Sequence, residues 1–145
     1  ETAGDGLGVA LDGGILATSF DPFALGLKVG AIAHLRHGKL AVDVAPGLYL
    51  GLTKRDGNPD VLALPISLHV AAAPKVGVAL QTGLLTPLDG AGDGFMVPLS
   101  LGASFAVTPK AFVGLTFSLP ALLGGDAVAD GVDQRTLTIG GGYAL

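Results

Sequence analysis

Cysteine and tryptophan are missing from this chain, and charged residues make up only 14% of it. Without cysteine there are no disulfides, no thiol chemistry and no zinc site built on cysteine. A net charge of −4 with no basic stripe argues against a nucleic-acid partner. The chain has 145 residues, enough for one domain with a closed core, and we expect 1–145 to form a single domain.

Long apolar runs are also missing, although half of the residues are hydrophobic and the mean hydropathy is +0.64. No window approaches the roughly 18 consecutive apolar residues of a membrane helix, because 24 glycines and nine prolines interrupt the sequence. Apolar residues instead occupy every second position, as in the segment 99–107, LSLGASFAV. A period of two is typical of strands with two different faces, so the sequence predicts an all-β fold without helices.

The alternation predicts eight strands, each long enough to cross a membrane when tilted. They cover 6–18, 25–36, 39–53, 61–73, 75–85, 95–107, 111–122 and 135–145. One face carries leucine, valine, isoleucine and phenylalanine, and the other carries mainly glycine, alanine, serine and threonine. Small residues fit a crowded barrel interior and bulky apolar residues fit lipid, whereas a soluble barrel exposes a charged face to water. We therefore predict that 1–145 is a single eight-stranded antiparallel up-and-down transmembrane β-barrel.

The links between these strands alternate in length. Short links at 36–39, 73–75 and 108–110 are separated by longer links, which cover 19–24, 54–60, 86–94 and 123–134. Short turns at one rim and long loops at the other are typical of bacterial outer-membrane barrels, and they predict that both termini lie on the periplasmic side. The chain begins with ETAGDG, which has no signal-peptide character, so an exported form has already lost its signal peptide.

Four prolines fall inside predicted strands, where each removes a donor from the hydrogen-bond ladder. They are Pro46, Pro65, Pro98 and Pro120. We expect a bulge or an early strand end at each of them.

In these features the chain resembles the small eight-stranded outer-membrane barrels of the OmpA-domain, OmpX and OmpW kind. The resemblance covers nearly the whole chain as a pattern rather than as matched residues. The last residues, TIGGGYAL, are similar to the C-terminal assembly signal of that class, in which Thr138, Gly140, Tyr143 and Leu145 would take the polar, glycine, aromatic and terminal apolar positions. The resemblance implies insertion by the barrel-assembly machinery and residence in the outer membrane of a Gram-negative bacterium. The alternative is an ordinary amphipathic last strand.

Few aromatic residues are available to anchor such a barrel at the membrane interfaces, where tryptophan and tyrosine are usual. The candidates are Phe20, Phe23, Phe95, Phe117 and Tyr143. A chain that packs against a partner protein within the membrane needs fewer of them, so the sequence favours a subunit of a larger envelope assembly.

Several ionisable and polar residues fall on the small-residue face. They are Asp12, Lys28, His34, Arg36, Asp43, Tyr49, His69 and Gln81. A charge in a barrel lumen needs a partner, so we expect Asp12 to pair with Lys28, and Asp43 to meet Arg36, His34 or His69. The main interpretation is a structural polar network in the lumen. An ion or proton path is one alternative, and a hydrolase built on Ser67, His69 and Asp43 is another.

The predicted long loops are acidic and the opposite rim is basic. The loop carboxylates belong to Asp21, Asp56, Asp60, Asp89, Asp93, Asp126, Asp130 and Asp133, and the rim cations are Arg36, Lys39, Lys75 and Lys110. The segment DGAGDG superficially resembles a calcium loop but lacks the twelve-residue pattern, so solvated turn residues are favoured. No phosphate loop, nucleophile turn or oxyanion site accompanies these residues, and the sequence predicts no enzyme, metal or cofactor.

The sequence therefore favours an integral outer-membrane barrel with a structural or interaction role, as a scaffold or complex subunit. Its expected partners are outer-membrane lipid, the barrel-assembly machinery and other envelope proteins, with the acidic loops outside the cell. One alternative is a narrow passive pore for water or small ions. The other is a soluble, lipocalin-like barrel that binds an apolar ligand.

Overall fold

One antiparallel sheet accounts for most of the computed structural model, which describes residues 5–126, 128 and 134–143. Its strands are β1 Gly6–Phe20, β2 Phe23–His37, β3 Leu40–Val44, β4 Gly47–Gly51, β5 Val61–Ala73, β6 Val76–Pro87, β7 Met96–Thr108, β8 Ala111–Gly124 and β9 Thr136–Tyr143. The predicted all-β class is confirmed. The expectation of no helix is wrong for two single turns in loops, a 3-10 turn at Arg55–Gly57 and α1 at Ala91–Gly94. Among the described residues, no helix has the length and hydropathy of a membrane span.

The strands follow one another around the sheet in chain order. The order is β1-β2-β3-β5-β6-β7-β8-β9, and β4 lies beyond β3 in the same position between β2 and β5. Every neighbouring pair is antiparallel, as an up-and-down meander requires. Within the described residues β1 pairs only with β2 and β9 pairs only with β8, so these two strands form the edges of the sheet.

The predicted third strand, 39–53, is divided at Pro46 into β3 and β4. Backbone hydrogen bonds to both neighbouring strands continue across the break. The Ala31 amide of β2 donates to the Pro46 carbonyl, and the Ala45 amide donates to the Pro65 carbonyl of β5, each at 3.0 Å. The early strand end expected at this proline is confirmed. Because β2 and β5 pair with both β3 and β4, the sheet stays continuous across the break.

The other strand prolines behave in two ways. The register of β7 against β8 shifts between Val97 and Leu99, around Pro98 and opposite the segment that contains Pro120, so the expected bulge is present. Pro65 lies inside β5 without a register shift, opposite a glycine, and the interruption expected there is wrong. The Pro65 carbonyl accepts from the Ala45 amide, so the missing donor of Pro65 faces the break between β3 and β4, where the ladder is already interrupted.

The two rims of the sheet differ as the sequence predicts, with one exception. At the tight-turn rim, two-residue links at 38–39, 74–75 and 109–110 join successive strands. At the long-loop rim, the links 52–60 and 88–95 are long. The last link, between β8 and β9, contains residues outside the described set. The first link at that rim is only two residues long, which corrects the longer link expected at 19–24. Its strands run on until Phe20 pairs with Phe23, with ring centroids 6.4 Å apart.

The small-residue face is the concave face of a curved sheet. A cavity of about 400 Å³ is lined by residues of β2, β3, β5, β6, β7 and β8, which no flat sheet could bring together. Large apolar side chains lie on the other face, where Leu101 is 54% exposed. In the described part of the chain the buried apolar residues are Ala24, Ala63 and Ala121, and no large side chain is fully buried. The sheet therefore has no ordinary hydrophobic core inside its curve.

Candidate functional site: the polar concave face

The first polar cluster on the concave face joins β1, β2 and β4. The Lys28 ammonium forms an ion pair with the Asp12 carboxylate and lies 5.7 Å from the centroid of the Tyr49 ring. Lys28 and Tyr49 are direct cross-strand neighbours, and Asp12 faces Gly30, two residues along β2. The register therefore brings the three side chains together, and the predicted Asp12–Lys28 pair is confirmed.

The second polar cluster is a carboxylate between two imidazoles. Asp43 on β3 faces His34 on β2, and the His34 Nδ1 atom lies 2.6 Å from the Asp43 Oδ1 atom. The other oxygen, Oδ2, lies 3.4 Å from Nε2 of His69 on β5. Of the three partners expected for Asp43, His34 and His69 are therefore both in contact with it. Arg36, the third expected partner, makes no ion pair among the described residues and lines the cavity instead.

The other polar residues of this face do not form a catalytic group. Gln81 on β6 faces Ser67 on one side and Ser100 on the other. Ser100 donates to or accepts from Ser118 at 2.9 Å. Ser67 faces Asp43 in the register, but within the described residues its hydroxyl makes no hydrogen bond to His69 or to Asp43. A nucleophile needs its base within hydrogen-bond reach, so the hydrolase interpretation gains no support.

A metal site is not assembled either. None of the histidine and carboxylate groups in the described part of the chain has the arrangement of three or more ligands that a metal ion needs. The DGAGDG segment forms α1 with its flanking residues rather than a cation loop. Asp130 and Asp133, which belong to the predicted acidic loops, lie outside the described residues.

The cavity on the concave face lies near the tight-turn rim. Its lining includes the cations Arg36 and Lys39 and the imidazole of His69, and its apolar walls come largely from alanine and glycine. Phe112 on β8 adds an aromatic ring, and Thr116 on the same strand adds a hydroxyl. The parity of the sequence placed most of these residues on one face, but it could not show that the sheet curves enough to enclose a space between them.

At the long-loop rim, the structure reveals an ordered polar network that the sequence did not predict. Arg55 donates from Nη1 to the Gly51 carbonyl and from Nη2 to Asp60, each at 2.7 Å, and Asp60 accepts from the Gly51 amide at 2.9 Å. The hydrogen bond from Arg55, with a smaller contribution from that amide, lowers the pKa of Asp60. The same pairing raises the pKa of Arg55. Asp60, which the sequence placed only among the acidic loop residues, is therefore held by Arg55 and by the Gly51 amide.

Asn58 attaches the same loop to the beginning of β2 by a hydrogen bond. It is the buried polar residue of the described chain, and its Nδ2 atom donates to the Leu25 carbonyl at 2.7 Å and to the Thr53 carbonyl at 3.0 Å. The Thr53 hydroxyl in turn accepts from the Leu25 amide at 2.9 Å. A Cβ atom at Gly51 would lie 1.7 Å from the Asn58 carbonyl oxygen, so this packing requires glycine. The motif KRDGNPD predicts a turn from its residue types. The contact of Asn58 with Leu25 could not be predicted, because the two residues are distant in the sequence.

The residues of the predicted assembly signal lie on the edge strand β9. Thr138, Gly140 and Tyr143 face Thr116, Gly114 and Ala111 of β8, and Leu145 lies outside the described residues. Their role as a signal stays a prediction.

The predicted aromatic anchors fall at both rims. Phe20, Phe23 and Phe95 lie at the long-loop rim, and Tyr143 lies at the tight-turn rim. Phe117 lies near the middle of β8, so it is not placed to anchor either interface.

Comparison of the chain with protein-family models, with curated proteins and with solved structures finds no match. The interpretation of the site therefore depends on its geometry.

Proposed function

We propose that the chain is an integral membrane β-barrel of the bacterial outer-membrane type, with a structural or interaction role as a scaffold or complex subunit. The observation that carries the proposal is the inversion of the usual packing. Bulky apolar side chains lie on the convex, exposed face, and small residues lie on the concave face. A soluble protein rarely exposes apolar patches larger than a few hundred Å², so a continuous belt of this kind fits lipid.

Each of the two edge strands has one unpaired side in the described part of the structure, and their apolar side chains are more exposed than those in the middle of the sheet. Leu11 on β1 is 90% exposed and Ile139 on β9 is 79% exposed, whereas Leu80 in the middle of the sheet is 38% exposed. In hydrocarbon, each unpaired backbone group of an open edge costs several kcal/mol. The sheet has an even number of strand positions, so β1 and β9 run antiparallel and can pair. We therefore propose an eight-stranded barrel with its seam between β1 and β9.

The polar clusters fit a structural role in the lumen of such a barrel. Lys28 is paired with Asp12, and Asp43 is paired with His34 and His69, so each pair links neighbouring strands across the concave face. Pairing of this kind lowers the cost of placing polar and ionisable groups away from bulk water. The soluble alternative needs bulky side chains packed inside, and the described part of the structure buries none.

Lipid exposure is tested by placing a charge at two depths on the convex face. Leu115→Lys, near the middle of β8, is expected to cost about 2–4 kcal/mol in a bilayer, and Val107→Lys, beside a tight turn, about 0–1 kcal/mol. Both side chains are exposed on the same face, so Val107→Lys is a matched control. Urea unfolding in lipid vesicles measures both. Equal costs, or a wild-type protein that is monodisperse in buffer without detergent, would contradict the proposal.

The seam is tested by cross-linking, which the absence of cysteine makes simple. Val9→Cys on β1 is combined in turn with Leu137→Cys, Ile139→Cys or Tyr143→Cys on β9. Paired strands bring one of these combinations within the Cα separation of about 4.4–6.8 Å that a disulfide needs. Leu80→Cys with Ile139→Cys is the control that should not react. Disulfides formed only between two chains would show that the edges do not close on each other.

A narrow passive pore for water or small ions is the second candidate, because the concave face encloses a cavity of about 400 Å³ lined largely by small residues. An eight-stranded barrel is normally filled by its own side chains, and here glycine and alanine leave part of that space empty. Ion flux from vesicles containing the purified protein, compared with protein-free vesicles, distinguishes the two functions. No flux above background supports the scaffold role.

A further inference from the structure

The cavity at the tight-turn rim combines positive charge with an apolar wall. Arg36 and Lys39 line it, and no lining residue in the described part of the chain carries a carboxylate. Asp43 contacts His69, which lines the cavity, but does not itself line it. The electrostatic potential in this space therefore favours an anion.

Neither of these two cations has a carboxylate partner among the described residues, in contrast to Lys28 deeper on the concave face. Lys28 is paired with Asp12, and the His37 Nδ1 atom lies 2.9 Å from the Asp5 Oδ2 atom. Arg36 is partly buried, and neither it nor Lys39 makes an ion pair with a described residue. An arginine guanidinium presents a planar donor pair that matches a carboxylate.

Most of the remaining lining is apolar, apart from His69, Ser104 and Thr116, and suits a hydrocarbon or aromatic group. Ala41, Ala79 and Gly102 form walls without polar side-chain atoms, and Phe112 supplies an aromatic surface. The volume of about 400 Å³ lies at the lower end of the range of about 300–1,000 Å³ found for small-molecule sites. Mostly apolar walls with a few convergent polar groups are characteristic of such sites.

We propose that this cavity binds a small amphiphilic anion, a short alkyl or aryl carboxylate. Its carboxylate lies against Arg36 and Lys39, and its apolar body lies among the alanine and glycine residues. The proposal depends on the cavity alone and not on membrane insertion, so its failure is separate from failure of the proposed function.

The first test is a ligand series on the wild-type protein. The alanine methyl groups are labelled with ¹³C, and their NMR shifts are followed during titration with hexanoate, acetate or hexan-1-ol. We expect saturable shifts at Ala41 and Ala79 with hexanoate, and at least tenfold weaker binding of acetate and hexan-1-ol. Equal binding of hexan-1-ol would overturn the role of charge, and equal binding of acetate would overturn the apolar subsite.

The second test uses charge-removing variants at one rim. The double variant Arg36→Gln, Lys39→Gln is expected to bind hexanoate at least tenfold more weakly. Lys75→Gln, Lys110→Gln is the matched control, because these lysines lie in tight turns of the same rim but do not line the cavity. An equal loss in both double variants would assign the effect to general rim charge and overturn the site. Circular dichroism confirms that each variant keeps its β structure.

A third variant fills the apolar part of the cavity without changing the net charge of the protein. Ala79→Leu adds bulk on the cavity wall and is expected to abolish the hexanoate-dependent shift at Ala41. Unchanged hexanoate binding in this variant would overturn the placement of the apolar body.

Discussion

The two rims of the sheet hold their strands together by different means. At the tight-turn rim, backbone turns of two residues join the strands, and a single positive-φ glycine, Gly38, serves the first of them. At the long-loop rim, the segment 52–60 is fixed by side chains, with Arg55, Asn58 and Asp60 each bound to the backbone of neighbouring strands or loop residues. The difference shows that side-chain hydrogen bonds can fix a long loop where no backbone ladder joins the strands.

The largest expected effect is at the closest approach in the long-loop rim. Gly51→Ala places a Cβ atom against the Asn58 carbonyl oxygen, and overpacking of this kind typically costs about 1–3 kcal/mol. We expect the upper end of that range, because the obstructing atom belongs to backbone. Gly57→Ala is the control in the same loop, since its Cβ would meet nothing within 4 Å. Equal unfolding midpoints for the two variants would show that the close packing of Gly51 against Asn58 does not stabilise the long-loop rim.

The next effect is the loss of the buried amide. Asn58→Ala leaves the carbonyls of Leu25 and Thr53 without their side-chain donor, and an unsatisfied buried group costs about 1–3 kcal/mol. We expect about 2 kcal/mol in urea unfolding. Asp56→Ala, an exposed neighbour, should stay within about 0.5 kcal/mol. A similar small change for Asn58→Ala would mean that the loop is not held by this amide.

At the tight-turn rim the expected effect is smaller. Gly38 has a φ of +57°, and the left-handed conformation costs a residue with a side chain roughly 1–2 kcal/mol. Gly38→Ala should therefore destabilise the protein by about 1 kcal/mol, and Gly38→Asn by less, because asparagine tolerates this conformation. If both variants were neutral in the same unfolding assay, the turn geometry would not limit stability at this rim.

The smallest effect is a pH dependence confined to the long-loop rim. The pKa of Asp60 is lowered by its bonds to Arg55 and to the Gly51 amide. Its contribution to loop order is therefore complete above the pKa of the unfolded chain and is lost as pH falls through the lower, folded value. The Gly51 amide shift in NMR should report this transition. Arg55→Gln should move the midpoint up toward the ordinary value of about 3.9, and Asp60→Asn should abolish it. A midpoint unchanged in Arg55→Gln would contradict the pairing.

The strand pattern was predictable because it depends on a local period. Alternation placed Asp12, Lys28, His34, Asp43 and His69 on one face, and the tight turn at 38–39 limited the register of Asp43 against His34. The Asn58 network was not predictable, because its acceptor at Leu25 is distant in the chain. The short first link was missed because nothing local shows that β1 and β2 continue to Phe20 and Phe23.

The unfilled interior also shapes how the molecule responds to force. In most proteins, close-packed side chains resist compression from every direction. Here the curve of the sheet encloses mainly glycine and alanine, so resistance across the strands comes from the hydrogen-bonded wall itself. We therefore expect the curved sheet to deform across its strands more readily than along them, while its backbone hydrogen bonds stay paired.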